Sequence, residues 1–217
     1  MIAITKNNTP NVLKKYQSDP VLSYSDITSS DKDKIKEEML REQHYLCAYC
    51  MSRIEMGSST IEHWLPQNPS DTVTERDNSL SYRNMLAVCK SSRGKPKNEQ
   101  ICDVHRENEP LTVNPCIAST IEKIKYKTNG VIFSDDEDIN HDLNVTLNLN
   151  CISSSLPVNR KEALQALHRK IFNETTNGRN KKTLCTSILN KYRSEQFYPP
   201  YFGILEWQLK KWIAQEG

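Results

Sequence analysis

The chain has 217 residues, 36% of them hydrophobic and 26% charged, with 29 Lys and Arg against 27 Asp and Glu for a formal net charge of +2. That balance fits one globular domain or two small ones sharing a core, and no run reaches the ~20 apolar residues that span a bilayer. A chain so close to neutral does not grip nucleic acid tightly by overall charge, so phosphate contacts would need local basic patches or a partner.

The opening MIAITKNNTPNVLKK lacks the apolar core of a secretory signal, which sets the expectation of a cytoplasmic protein. Residues 1–27, with Pro10 and Pro20, read as an irregular N-terminal arm. SSDKDKIKEEMLREQHYL (29–46) predicts a helix capped by Ser30, with Asp33 as its capping-box partner and Ile35, Met39 and Leu46 on the buried stripe. CAYC follows as a knuckle, then a hairpin turning at Gly57, Ser58 and Ser59 with TIEHW as its second strand. Residues 67–81 are a polar loop, SYRNMLAVC returns to apolar periodicity, and KSSRGKPKNEQ is a basic loop broken by Gly94 and Pro96. ICDVHRENEPL has room for one or two helical turns before Pro110.

Beyond about residue 119 the texture changes. IEKIKYKTNGVIFSD alternates around Asn129-Gly130, a hairpin signal, and LNVTLNLN reads as a short strand or turn-rich piece. NRKEALQALHRKIF, KKTLCTSILNKYR and ILEWQLKKWIAQ read as helices. Leu164, Leu167, His168 and Ile171 share one face of the first; Leu205, Leu209, Trp212 and Ile213 share one face of the last. The expected class is α+β, divided as an arm (1–27), a metal-bearing core (28–118) and a hairpin-plus-helical C-terminal region (119–217).

The seven cysteines cannot all pair within the chain, and clustered cysteines in a reducing compartment more often bind metal or do chemistry. Cys47-x-x-Cys50 has zinc-knuckle spacing but needs two more ligands. Cys89 is followed by Ser92, so a second C-x-x-C fails, and the next cysteine is Cys102 across the basic loop. Cys47, Cys50, Cys89 and Cys102 would close a four-thiolate structural zinc site, with His105 as reserve ligand. Separate buried thiols with His105 at the surface are the weaker alternative, because Cys89 and Cys102 bracket the loop that most needs a staple.

Glu62-His63 stands beside Trp64 and Pro66. A histidine suits removal of a proton from water because its ordinary pKa, about 6.5, lies near working pH. A divalent cation held by carboxylates suits neutralisation of a leaving oxygen. Neighbouring residues of a regular strand point to opposite sides, so the two can share a task only where the strand ends. Taken alone, such a dipeptide is more often a solvated Glu beside a half-buried His.

The order CAYC, IEHWLP, YRNMLAVC, ICDVHR resembles the HNH endonuclease core, the ββα-metal nucleases with a structural zinc and a treble-clef-like framework. The resemblance implies that His63 is the general base, Glu62 a ligand of the catalytic cation and Asn84 the residue that braces the loop and orients the base. Asp103 falls where the last His of the motif usually stands. That departure makes the catalytic site carboxylate-rich and favours Mg²⁺ or Mn²⁺, with Asp103 or His105 as the second ligand. The Glu-His-x-x-Pro form, the long insertion between the last two cysteines, NPC after the core and LNLN…NRKEAL resemble more narrowly the PtuB family, over roughly residues 28–175. PtuB proteins are the HNH components of Septu anti-phage defence systems and effectors beside some retrons. The resemblance thus implies a nucleic-acid substrate and a PtuA-like ATPase partner, in retron settings with a reverse transcriptase and its msDNA, and no membrane. The chain itself has no G-x-x-x-x-G-K-[ST], so nucleotide hydrolysis would belong to the partner.

Lys90, Arg93, Lys95 and Lys97 lie in a stretch without acids and are the candidate phosphate contacts. Arg160, Lys161, Arg169, Lys170, Arg179, Lys181 and Lys182 form a second basic stretch, equally readable as a solvated helix face or a docking surface. A competing class remains open: a zinc-knuckle module that binds nucleic acid or protein without cutting. A zinc deaminase is disfavoured because no H-x-E precedes a P-C-x-x-C, and a zinc protease because H-E-x-x-H is absent. The chemistry does not separate DNA from RNA, tRNA included.

Overall fold

In the computed structural model, which describes residues 1–67 and 78–215, a helix lies across a two-stranded sheet in the first half of the chain. Helix α1 spans Asn11–Ser18 and α2 spans Ser29–Glu42. Thr28, not Ser30, caps α2: its side chain accepts the Asp31 amide at 3.2 Å. The earlier start leaves Asp31 in the first turn, where it accepts the Tyr16 hydroxyl at 2.8 Å and Lys34 at 3.0 Å. The arm is also less irregular than its prolines suggest. Helix α1 buries Leu13 and Tyr16, and Met1, Ile2 and Ile4 enter the core, the Ile4 amide donating to Pro115 at 2.8 Å.

TIEHW does form a strand, but not in a local hairpin. Strand β1 (Ser59–His63) pairs antiparallel with β2 (Met85–Cys89), from Ser59 opposite Cys89 to His63 opposite Met85. Between residues 46 and 56 the described residues hold one isolated bridge, Leu46 to Arg53. The distant partner wins because MLAVC is buried at every position, whereas SRIEM offers a polar strand. Gln43, just past the end of α2, extends the sheet by accepting the Ala87 amide at 2.8 Å and donating to its carbonyl at 2.7 Å. The polar loop expected over 67–81 falls largely outside the described residues; 78–80 are helical. After the basic loop comes the short helix α3 (Cys102–Arg106).

The second half begins with α4 (Ala118–Ile121) and the expected hairpin, β3 (Ile124–Tyr126) and β4 (Ile132–Ser134). Gly130 turns it with φ +86°, and a Cβ there would stand 2.0 Å from the Pro157 carbonyl oxygen. LNVTLNLN is not a strand: α5 (Glu137–His141) runs into a π-helical turn over Asp142–Thr146. Buried Asp142 holds that turn in place by accepting the Thr112 and Val113 amides, each at 2.7 Å. Helices α6 (Leu156–Thr176), α7 (Lys181–Ser194) and α8 (Phe202–Gln215) follow as expected. Two expected placements change. Arg160 is buried rather than part of a basic face, bonding the Gly130 carbonyl at 2.6 Å and that of Leu149 at 2.9 Å. His168 is exposed and sits edge-on to Trp212 at 4.7 Å.

One hydrophobic core runs from Met1 to Leu209, joining both halves. Among the described residues no helix is long and apolar enough to cross a membrane.

A candidate metal centre and the carboxylate cleft beside it

Cys47, Cys50, Cys89 and Cys102 converge on one buried point, all four Sγ atoms within 4.8 Å of one another. Zinc–sulfur bonds of about 2.3 Å in a tetrahedron put neighbouring sulfurs about 3.8 Å apart. Here Cys47 and Cys102 are 3.9 Å apart, and Cys50 and Cys89 are 3.7 Å apart. Burial pushes the thiols of Cys47 and Cys102 well above their ordinary range, while Cys89 is held far down by hydrogen bonds from its neighbours. Four sulfurs this close cannot all ionise unless a cation replaces their protons, so the donor set and spacing fit a structural zinc ion.

The local backbone explains the convergence. The knuckle closes when the Met51 amide donates to Cys47 at 3.1 Å, with Met51 at φ +65°. Cys89 ends β2 and turns its amide towards Cys47 Sγ at 3.3 Å. Ser92, which broke the expected C-x-x-C, closes the neck of the basic loop instead, its hydroxyl bonding the Ile101 amide at 3.0 Å. Cys102 is held at φ +56° with its amide donated to Leu147 at 2.9 Å. His105 stays outside the cysteine cluster: its Nδ1 pairs with the Thr146 carbonyl at 3.0 Å.

Beside this centre, Glu62, His63 and Asp103 line one cleft of about 390 Å³, together with Tyr24, Gln67 and Arg93. Glu62 and His63 both face it because β1 ends there, and both are buried. Asp103 comes from the first turn of α3. The Glu62 carboxyl is pushed well up, first by burial and then by the hydrogen-bonded carboxyl of Asp103, with Arg106 opposing. His63 is pulled down to about 4 by burial, against the Ser79 carbonyl and Asp103. It is a neutral base at ordinary pH.

His63 Nε2 lies 2.9 Å from the Ser79 carbonyl oxygen, which can only accept, so Nε2 carries the proton and Nδ1 is the basic nitrogen. The Gln67 amide approaches Nδ1 at 3.0 Å. Among the described residues Asn84 forms no hydrogen bond with the His63 side chain. It accepts the Leu65 amide at 2.6 Å and donates to Leu65 and Asn78, each at 3.0 Å, bracing the chain on both sides of the histidine.

Arg106 and Tyr49 belong to the site although motif spacing alone did not single them out. Arg106, 1% exposed, ion-pairs with Glu62, and its guanidinium also donates to the carbonyls of Trp64 at 2.6 Å and Glu109 at 2.7 Å. The Tyr49 hydroxyl donates to the same Glu62 oxygen at 3.3 Å. The available signal was the i,i+3 spacing of Asp103 and Arg106, which sets both on one face of a helix. Of the basic-loop residues, Arg93 lines the cleft, Lys90 lines the recess next to it and Lys95 is exposed. Lys97 does not itself line the cleft but pairs with Glu107, which does, at 2.8 Å and with the His105 carbonyl at 2.6 Å. No family model matches the chain, and no curated protein matches it.

Proposed function

We propose that this chain is a metal-dependent endonuclease of the HNH type, hydrolysing phosphodiester bonds of DNA or RNA on a zinc-stapled ββα core. The observation that carries the reading is the meeting of a neutral, backbone-anchored His63 with two adjoining carboxyls, Glu62 and Asp103, in one cleft. Water that takes the place of the Gln67 amide at Nδ1 of His63 would lose its proton to that nitrogen as it attacks phosphorus, while the Ser79 carbonyl keeps the ring in its tautomer. Glu62 and Asp103 would hold Mg²⁺ or Mn²⁺, which when bound neutralises charge on the leaving oxygen. Arg106 and Tyr49 fix Glu62 from behind. Asn84 holds His63 indirectly, through the backbone of Leu65 and Asn78. Asp103 is preferred to His105 as the second ligand because it lines the cleft and His105 is engaged with Thr146.

The near-neutral charge and the lack of a nucleotide-binding loop fit a toxic effector that works under the control of an ATPase, as the PtuB resemblance implies, with a retron reverse transcriptase and msDNA in some settings. One observation favours the non-cutting reading. Arg106 already neutralises Glu62, an arrangement a purely structural ion pair would also show.

Cleavage of DNA and of total RNA with Mg²⁺ or Mn²⁺, by the unaltered chain and by His63→Ala, alone and with a PtuA-like ATPase, separates the two. The nuclease reading expects a rate loss of about 10²–10⁴ in His63→Ala with zinc content unchanged. Zinc-loaded protein that binds nucleic acid but never cuts it, with or without the ATPase, supports the binding module.

A further inference from the structure

A second recess of about 240 Å³ adjoins the cleft, and Tyr24, Ile61 and Arg93 line both. Its walls bring together cations from two segments far apart in sequence: Lys32 and Lys36 of α2, and Lys90 and Arg93 of the loop after β2. Lys32 and Lys36 stand four residues apart on one helix face, an arrangement that repels and weakens the helix on its own account. Lys36 has one partner, Asp33 at 3.1 Å; Lys32, Lys90 and Arg93 form no ion pair among the described residues. Among the described residues no carboxylate lines the recess. Lys32 packs over the Tyr24 ring at 4.6 Å, and Tyr24 meets the His63 ring edge-on at 4.6 Å, so the recess and the base share one aromatic wall.

We infer that this recess is a phosphate-binding site through which a nucleic-acid strand reaches the cleft, its backbone held by Lys32, Lys36, Lys90 and Arg93. The inference rests on the endonuclease reading for the identity of the polyanion, and extends the contact surface to α2. The half-buried stems of Lys32 and Lys36 fix their ammonium groups as a free surface lysine would not. Of the neighbouring acids Glu62 is already paired with Arg106, which leaves Asp103 as the acid that disfavours the same backbone deeper in the cleft, so the strand is drawn to the rim first. Among the described residues the recess offers phosphate-seeking cations rather than a base-reading element, and the contacts would be largely indifferent to sequence.

The test uses the full chain carrying His63→Ala, with fluorescently labelled single-stranded DNA, duplex DNA and RNA of one sequence, titrated across a range of KCl concentrations. Lys32→Glu/Lys36→Glu and Lys90→Glu/Arg93→Glu are each expected to weaken binding about tenfold or more and to lower the log–log salt slope by about 2. Lys191→Glu/Lys211→Glu, with the same charge change on α7 and α8, leaves both unchanged, and Lys32→Arg/Lys36→Arg keeps the slope. Thermal melting checks that each variant folds. No binding by the parent, or slopes in both recess variants equal to the control, overturns the inference. Cleavage is scored separately with His63 restored. Binding through the recess without cleavage sinks the nuclease reading and leaves the recess standing; cleavage untouched by either recess variant does the reverse.

Discussion

Arg106 on α3 grips Glu62 on β1, a residue 44 positions earlier, and is the most deeply buried charge beside the cleft. Its guanidinium is spread over the carboxylate, the Tyr49 hydroxyl and carbonyls at the end of β1 and in the segment after α3, so it ties β1 to α3 and the turn that follows it. Arg106→Met strands those acceptors and is expected to cost about 3–5 kcal/mol in urea unfolding. Adding Glu62→Leu should recover part of that loss. A double-mutant cycle with no interaction energy would mean that the pair is not coupled in solution.

The cysteine cluster predicts one zinc per chain by mass spectrometry. Replacing any one of Cys47, Cys50, Cys89 or Cys102 with Ser should release it and lower stability by several kcal/mol, within the ~10–16 kcal/mol that structural zinc supplies in finger peptides. Cys116→Ser, outside the cluster, should keep the metal. Retention of full zinc by the Cys102→Ser protein would refute the four-thiolate site.

His63 gives stability a pH dependence. Its folded value of about 4 lies below the unfolded value of about 6.5, so the unfolded chain binds more protons between them. The contribution is complete above about pH 6.5 and is lost as pH falls towards 4, on the order of 3 kcal/mol in all. Glu62, raised in the folded state, acts in the opposite sense as pH rises, so the clean readout is the unaltered chain minus His63→Gln. That difference should shrink across the window; a flat difference refutes the burial of a neutral ring.

Gly130 should tolerate no side chain. Gly130→Ala must relieve a 2.0 Å approach to Pro157 at φ +86°, and is expected to cost at least ~3 kcal/mol by chemical denaturation. A loss below about 1 kcal/mol would show that the hairpin does not press on α6 as described.

What the chain disclosed in sequence followed from how local each signal is. The four cysteines were legible because thiol chemistry and spacing identify them, and the Asn129-Gly130 turn because its conformation demands those residues. The partner of β1 was not, because Gly57 and its serines mimic a hairpin turn while the burial that decides the pairing lies in MLAVC. The sequence predicts Ser30 as the cap of α2, whereas the contacts of Asp31 with α1 and Lys34, together with its amide on Thr28, favour the earlier cap. Arg106 carries no pairing signal in the sequence, because its partner Glu62 lies on a strand far away along the chain.

The amide of Cys102 is held not by its own half of the chain but by Leu147, next to the π-helical turn. A positive φ at a residue with a side chain is strained, and that distant carbonyl helps to keep it so. The geometry of the fourth thiolate thus depends on the segment around residue 147, and a metal held by the four cysteines would tie that segment to the knuckle at Cys47 and Cys50. A truncation that removes the segment around residue 147 is then expected to weaken zinc retention even though all four cysteines remain, and a single melting transition for both halves is the matching expectation for the whole chain.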